Sequence, residues 1–279
     1  MTVPDHPIFA QSLPASELIL STGPAPVPYH VYEGHGLVIL GYCDGTALLN
    51  AFAGQDVHPV LTQSGQGILL VFVCDFTRAS LGPHHELHIT ALAAPETGQV
   101  VADDPAAALA SFATRPDWGV LSLHLWNDTS RVVAYNSEYL GLQAQQSDGH
   151  VTVQDGRLDF AFSGPDGGPL AAGNLRVNAR SDAGLMMRVM RRLGWGALWD
   201  ALRKRPALAH VINRKSQVIP RNGRAKTLTA PDKMIVTRFD PARDHVDFTA
   251  GPYAAFGFAP KIIEHLTPFR FVYLHPDAS

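Results

Sequence analysis

The sequence predicts a mainly β (α+β) chain of antiparallel strands and turns, of barrel or sandwich type, with helices at its periphery. Three observations predict it. Twenty-four glycines and 21 prolines spread over 279 residues favour many short elements joined by turns. Apolar, partly β-branched runs bounded by turn signals recur at roughly the 8–12-residue spacing of barrels and sandwiches. Only two stretches, Asp104–Ala113 and Ser181–Arg205, carry a helical pattern. With 46% hydrophobic and 17% charged residues, the chain can bury a substantial core.

In chain order, residues 1–30 read as an extended arm rich in proline (Pro24, Pro26, Pro28), with a short strand near Glu17–Leu20. Gly36–Tyr42 is a buried strand, and Cys43-Asp44-Gly45 supplies an Asp-Gly hairpin turn. Thr46–Ala53 leads to a further turn near Gly54. Gly67–Phe76 is the most strand-like segment, and His85–Ala93 follows it across Gly82-Pro83. Asp104 as N-cap and Pro105 at the first helical position open a short helix ending near Ala113. Gly119–Trp126 and Arg131–Tyr135 read as a hairpin around Asn127-Asp128-Thr129. His150–Val153, Arg157–Phe162 and Gly173–Ala179 continue as strands.

Ser181–Arg205 breaks this rhythm. Leu185, Met186, Val189, Met190, Leu193, Leu198, Trp199 and Leu202 alternate with arginines, and Gly194 and Gly196 predict a kink. The plain expectation is an amphipathic helix on the barrel with its basic face in water. The sharper alternatives are a lid over an apolar substrate or a face that adsorbs to anionic lipid. A basic loop after Pro206, a strand at Lys233–Phe239 and a terminal strand at Arg270–His275 complete the chain. Without internal repeats or a long linker, residues 1–279 are expected to form a single domain with a basic helical insertion at about 181–226.

Net charge is −3, but it is segregated: 16 of the 22 lysines and arginines lie between Arg176 and Arg243, with four acidic residues among them. No lysine precedes Lys204 and no arginine precedes Arg78. The overall balance and the scarcity of aromatics around Arg203–Lys226 argue against a nucleic-acid partner. Cys43 and Cys74 lack metal or redox spacing, so a reducing compartment is expected. The N-terminus carries no signal-peptide pattern and no run is long enough to span a membrane. The expectation is therefore cytoplasmic, with at most peripheral membrane contact.

Phe72–Ala93 (FVCDFTRASLGPHHELHITALA) is the most chemically loaded stretch. On a strand, His84, Glu86 and His88 share one face while His85, Leu87 and Ile89 share the other. His84 and His88 lie roughly 13 Å apart at about 3.3 Å per residue, a stretch for a single ion. A weaker alternative takes His84, His88 and His124, the last on another strand, as metal ligands. The favoured reading is Glu86 as an acid/base group aided by histidine, because a carboxyl facing a barrel interior has a raised pKa. Serine-hydrolase, phosphate-loop, dinucleotide and His-Glu-x-x-His signatures are absent.

Two short motifs carry a resemblance. Gly82-Pro83-His84-His85-Glu86 is similar to the Gly-Pro-Tyr-x-Glu turn of the acetoacetate decarboxylase-like superfamily. Glu138-Tyr139-Leu140-Gly141-Leu142-Gln143-Ala144 resembles that superfamily's Glu-x-x-Gly-x-Pro-Lys motif. The likeness runs loosely from Tyr29 to Ala179. It implies a cone-like antiparallel β-barrel around the active site, and homo-oligomers are common in the family. The departures matter more: Gln143 and Ala144 stand where the family has its Schiff-base lysine, and the early substrate-binding arginine is missing. Lys261, after Gly257-Phe258-Ala259-Pro260, is a stray lysine far from the expected place.

The resemblance thus implies a divergent member without the Schiff-base lysine: a lysine-independent lyase, hydratase or isomerase. Its expected catalytic residues are Glu86, His84 and Glu138, with His88, His124, Tyr135, Asn136 and Gln143 binding substrate and no metal or cofactor. A small apolar carbonyl compound, such as a polyketide, terpenoid or fatty-acyl derivative of secondary metabolism, is the expected substrate. The alternative of another class is a small-molecule-binding barrel without catalysis.

Overall fold

The computed structural model describes residues 6–274 apart from 11, 13–15, 178–179, 203–206, 218 and 220. The expected strand end at Ala179, the basic run Arg203–Arg205 and the expected strand end at His275 lie outside the described residues. An N-terminal hairpin, β1 (Ser16–Leu20) and β2 (Gly23–Val27), precedes the long β3 (Tyr29–Cys43). Then come α1 (Gly45–Ala51), β4 (Gly67–Ala79), β5 (His84–Ala94), α2 (Pro105–Thr114) and β6 (Gly119–Asn127). The short α3 (Ser130–Ala134) runs into a π-helical turn, Tyr135–Tyr139. Next are β7 (Asp148–Gln154), β8 (Arg157–Ser163), β9 (Pro169–Arg176) and α4 (Ala183–Leu202). The chain closes with β10 (Ala207–Ile212), β11 (Arg224–Thr229), β12 (Lys233–Arg238), β13 (His245–Asp247), β14 (Ala259–Thr267) and β15 (Phe271–Tyr273).

Seven strands close a ring in the order β3-β4-β5-β6-β10-β11-β15 and back to β3. Every pair in the ring is antiparallel except β6 with β10, where Val211 and Ile212 run parallel to Val120 and Leu121. Beyond the ring, β14 follows the other half of β3 and β12 follows β14. A barrel with peripheral helices therefore stands as expected. Along β5 the pleat sends Leu92 and Ala94 into an interior cluster shared with Tyr29, Cys74, Tyr135 and Tyr273. It sends Leu87, Ile89, Ala91 and Ala93 to the outer face, beneath the four-stranded sheet β7-β8-β9-β13. The helix α4 lays Leu185 and Val189 on the interior cluster and is broken at Gly194, whose φ of 72° only glycine adopts readily. No helix among the described residues is long and apolar enough to cross a membrane.

Three local expectations are corrected. Asp44 does not open a hairpin; its carboxylate accepts from Ala47 N at 2.8 Å and caps α1. Arg131–Tyr135 is helical, not a strand. The β-branched Val132-Val133 pair suggested extension, but Val132 and Ala134 are instead buried on one side of a short helix. The basic loop after Pro206 holds two ring-closing strands instead. Val211, Ala225 and Thr227 are buried, while Arg224 and Lys226 at alternate positions are not, so the charges obscure an ordinary period of two.

Candidate functional site

Glu86 sits on the inner face of β5, opposite Cys74 on β4 and Asn127 on β6. Asn127 Nδ2 donates to Glu86 Oε2 at 3.0 Å, and Asn136 Nδ2 donates to Asn127 Oδ1 at 2.9 Å. The two amides thus form a directed chain ending on the carboxyl. Burial drives the Glu86 pKa up to about 7 while the Asn127 bond holds it back. Glu86 keeps 6% of its surface against 0% for Asn127, 1% for Asn136 and 2% for Cys74. Glu86 and the side chains that support it are all buried.

Above Glu86 the interior is aromatic and neutral. His84 Nδ1 donates to Gly82 O at 2.9 Å, which leaves Nε2 to accept from the Tyr29 hydroxyl at 3.0 Å. Burial lowers the His84 pKa to about 4, so the imidazole is uncharged at neutral pH. Tyr29, Tyr273 and Tyr135 crowd together, Tyr29 lying 5.6 Å from Tyr135 and 6.2 Å from Tyr273 between ring centroids. Burial, with Glu86 nearby, raises Tyr29 and Tyr273 well above the usual phenol range. Among the described residues no hydrogen bond meets the buried Asn136 Oδ1. Below Glu86, His88 Nε2 meets Ser122 Oγ at 2.9 Å, and burial lowers its pKa to about 3. Glu86 is the titratable group of this set poised near neutrality.

The structure thus gathers Glu86, His84, His88, Tyr135 and Asn136, and it does not gather the other three. His124 lies on the opposite face, stacked on Trp126 at 5.3 Å and edge-on to Tyr253 at 5.7 Å. A register shift between Ile89 and Thr90 sets that placement on β6. His84, His88 and His124 therefore do not converge, and no group of three metal-ligating side chains exists among the described residues. Glu138, two residues beyond Asn136, is about half a helical turn away and points outward. It accepts from Ser21 N at 2.9 Å and from Ser21 Oγ, bonds that lower its pKa and anchor the β1–β2 arm. Gln143 is exposed, its Nε2 donating to Arg214 O at 3.1 Å. Ala144, not Gln143, packs toward the interior cluster. Lys261 is exposed at the barrel rim, its ammonium 5.9 Å from the Tyr42 ring centre.

Asn127, Tyr29, Cys74, Tyr273 and Ser122 were not singled out by sequence. Extending the β6 strand one residue past Trp126 exposes Asn127 as an inward position, and alternation through Phe271–Tyr273 does the same for Tyr273. Nothing local marks Tyr29, which lies in the stretch read as an extended arm. Two surface hollows lie away from these residues. One, of about 290 Å³, is bordered by Ser111, Trp118 and Arg192; the other, of about 440 Å³, by Arg176, Arg180 and Phe239.

No protein-family model matches the chain and no curated protein does. Solved structures do. Acetoacetate decarboxylase from Legionella pneumophila superposes with a TM-score of 0.58 at 10% identity, covering 99% of this chain and 97% of that one. A second acetoacetate decarboxylase gives 0.51 at 10% identity over 90% and 91% of the two chains. The enduracididine biosynthesis enzyme MppR, complexed with pyruvate, gives 0.52 at 12% identity over 89% of each. The chain has the acetoacetate decarboxylase-like fold, in a divergent form.

Proposed function

We propose that this protein is a lysine-independent acid/base enzyme that acts on a small, uncharged carbonyl compound inside the barrel. The observation that carries the reading is Glu86: an inward carboxyl, buried, held at a pKa of about 7 and steered by the Asn136–Asn127 chain. A carboxyl that exchanges its proton near neutral pH suits proton abstraction beside a carbonyl. Among the described residues no lysine or arginine is buried, so the interior offers neither an imine-forming amine nor a cation for a keto acid's carboxylate. His84 and Tyr29 are both neutral and bonded to each other, so the Tyr29 hydroxyl reaches a carbonyl only by giving up its bond to His84 Nε2.

Deuterium exchange tests this directly. Small ketones in deuterium oxide are expected to exchange their α-protons in the presence of the protein, and Glu86→Gln is expected to abolish it. Exchange that survives Glu86→Gln refutes the role of the carboxyl. A borohydride-trapped adduct of acetoacetate or pyruvate on Lys261 refutes lysine independence. Tight ketone binding without exchange would make the protein a carrier.

A further inference from the structure

We infer that Glu264, on β14, faces the same interior space as Glu86 and is its acid–base partner, the second carboxyl of a two-carboxyl site. The chemistry rests on the function proposed above; the placement rests on strand register. Glu264 opposes Val236 on β12 and Val38 on β3, Val38 opposes Phe72 on β4, and Phe72 opposes His88 on β5. Directly opposed residues of antiparallel strands share a face. Val236, Glu264, Val38, Phe72 and His88 therefore form one inward row. The adjacent row contains Leu266, Gly36, Cys74, Glu86 and Asn127.

Exposure along the first row is uneven. Val236, Val38 and His88 are 1%, 7% and 3% exposed, yet Glu264 and Phe72 between them keep partial exposure. Side chains on an inward face that stay partly open line a space. The Glu264 carboxyl is surrounded by protein closely enough that burial raises its pKa to about 7, yet no hydrogen bond or ion pair meets it among the described residues. Its sequence neighbour His265 points to the other face, donating through Nδ1 to Val177 O at 3.0 Å. The row neighbours Val38 and Val236 are apolar, and so are Leu185 and Val189 of α4, which pack on the interior cluster. The carboxyl is neither a packing residue nor half of an ion pair.

Two carboxyls of similar proton affinity can work in concert. Glu86, as carboxylate, takes the proton from a carbon beside the carbonyl, and that C–H electron pair becomes a C=C bond. The carbonyl π pair takes the proton of the Glu264 carboxylic acid, giving an enol. Where the substrate carries a β,γ double bond the enol is a dienol: Glu86 returns its proton to the γ-carbon, the remaining double bond moves into conjugation, and Glu264 recovers its own proton from the enol hydroxyl as the carbonyl re-forms. In a simple ketone the proton returns to the α-carbon and only exchange is seen. The sum is a proton shift within one molecule, with both carboxyls restored. The substrate class is an uncharged, enolisable ketone or aldehyde, because a carboxylate substrate would bring a further negative charge beside two carboxyls.

The test is a carbon-13 NMR titration of the full chain labelled at glutamate Cδ, paired with acetone exchange in deuterium oxide. Two carboxyls should titrate near pH 7. Glu86→Gln should remove one and lower the midpoint of the other, and Glu264→Gln should do the converse, since losing a like charge eases ionisation. Glu264→Gln should slow acetone exchange at least about tenfold, with partial recovery in Glu264→Asp. A Glu264 midpoint in the ordinary carboxylate range, or midpoints indifferent to each other, overturns the shared space. Unchanged exchange in Glu264→Gln overturns the partnership. If the wild type exchanges no ketone, the proposed function falls, while the titration still decides whether the two carboxyls face one another.

Discussion

Replacing Asn127 by leucine isolates what the amide does for Glu86. The substitution keeps the approximate volume and removes both the donor 3.0 Å from Glu86 Oε2 and the acceptor 2.9 Å from Asn136 Nδ2. The donated bond favours the ionised carboxyl, so its loss must raise the midpoint above the present value of about 7. Hydrogen bonds to charged groups contribute about 1.5–3 kcal/mol, and one pH unit corresponds to about 1.4 kcal/mol, so the rise should be about one to two pH units. Asn136 loses its acceptor while its own Oδ1 already lacks a donor among the described residues, which costs about 1–3 kcal/mol of stability. Glutamate Cδ resonances followed by pH, with denaturant unfolding alongside, measure both effects. A midpoint that stays or falls would refute the reasoning: Asn127 would then present its carbonyl to a protonated Glu86, and the amide chain would run the other way.

Three further outcomes are expected. The Glu86 midpoint of about 7 lies above its ordinary 4.5, so the folded state holds a proton that the unfolded chain releases. Stability is then lost as pH rises from 4.5 through 7, by up to about 3 kcal/mol, and urea unfolding at pH 5 and pH 8 should show a smaller loss in Glu86→Gln; equal losses contradict it. Asp244 is 0% exposed at its side chain and takes Arg176 Nε and Nη2 at 2.9 and 2.8 Å, so Asp244→Ala should destabilise the chain by about 3 kcal/mol or more in the same assay. Glu138→Gln should leave ketone exchange and the Glu86 titration as they are and increase proteolysis of the β1–β2 arm. A lost exchange activity would return Glu138 to the site.

Strand periodicity made much of the barrel legible. Gly67–Phe76 is apolar enough that only a two-sided buried strand accommodates it, His85–Ala93 follows it across the Gly82-Pro83 turn, and the observed β4 and β5 extend the two by a few residues. The inward set His84, Glu86 and His88 followed from alternation alone. What failed did so where a second force outweighed local pattern. Val132-Val133 has strand propensity but is carried in a helix by packing. Arg224 and Lys226 hid a ring strand because outward charges break an apolar run without breaking its period. Glu138 and His124 were misplaced by geometry that no linear spacing encodes, a π-helical turn and a register shift. Tyr29 and Tyr273 meet only because β15 closes the ring against β3, a contact between the two ends of the chain.

Interior electrostatics links the missing lysine to the chemistry that remains. Imine catalysis on a keto acid needs an amine inside the barrel and a cation for the substrate's carboxylate. Among the described residues the buried cationic candidates are histidines, and burial lowers His84 to about 4 and His88 to about 3, so both are neutral at physiological pH. With no positive group beside it among the described residues, a carboxyl on the same face is not held ionised by pairing. Only the Asn127 bond opposes desolvation, and Glu86 settles at about 7. Removing fixed positive charge from such a site therefore does two things at once. Under the proposed function it would disfavour substrates that arrive as anions and leave Glu86 free to give and take protons at working pH. Introducing one lysine tests the coupling: Ala144→Lys, at the position that packs toward the interior cluster, should lower the Glu86 midpoint and slow ketone exchange. An unchanged Glu86 midpoint in a folded Ala144→Lys protein would separate the two effects and leave the raised pKa without its stated cause.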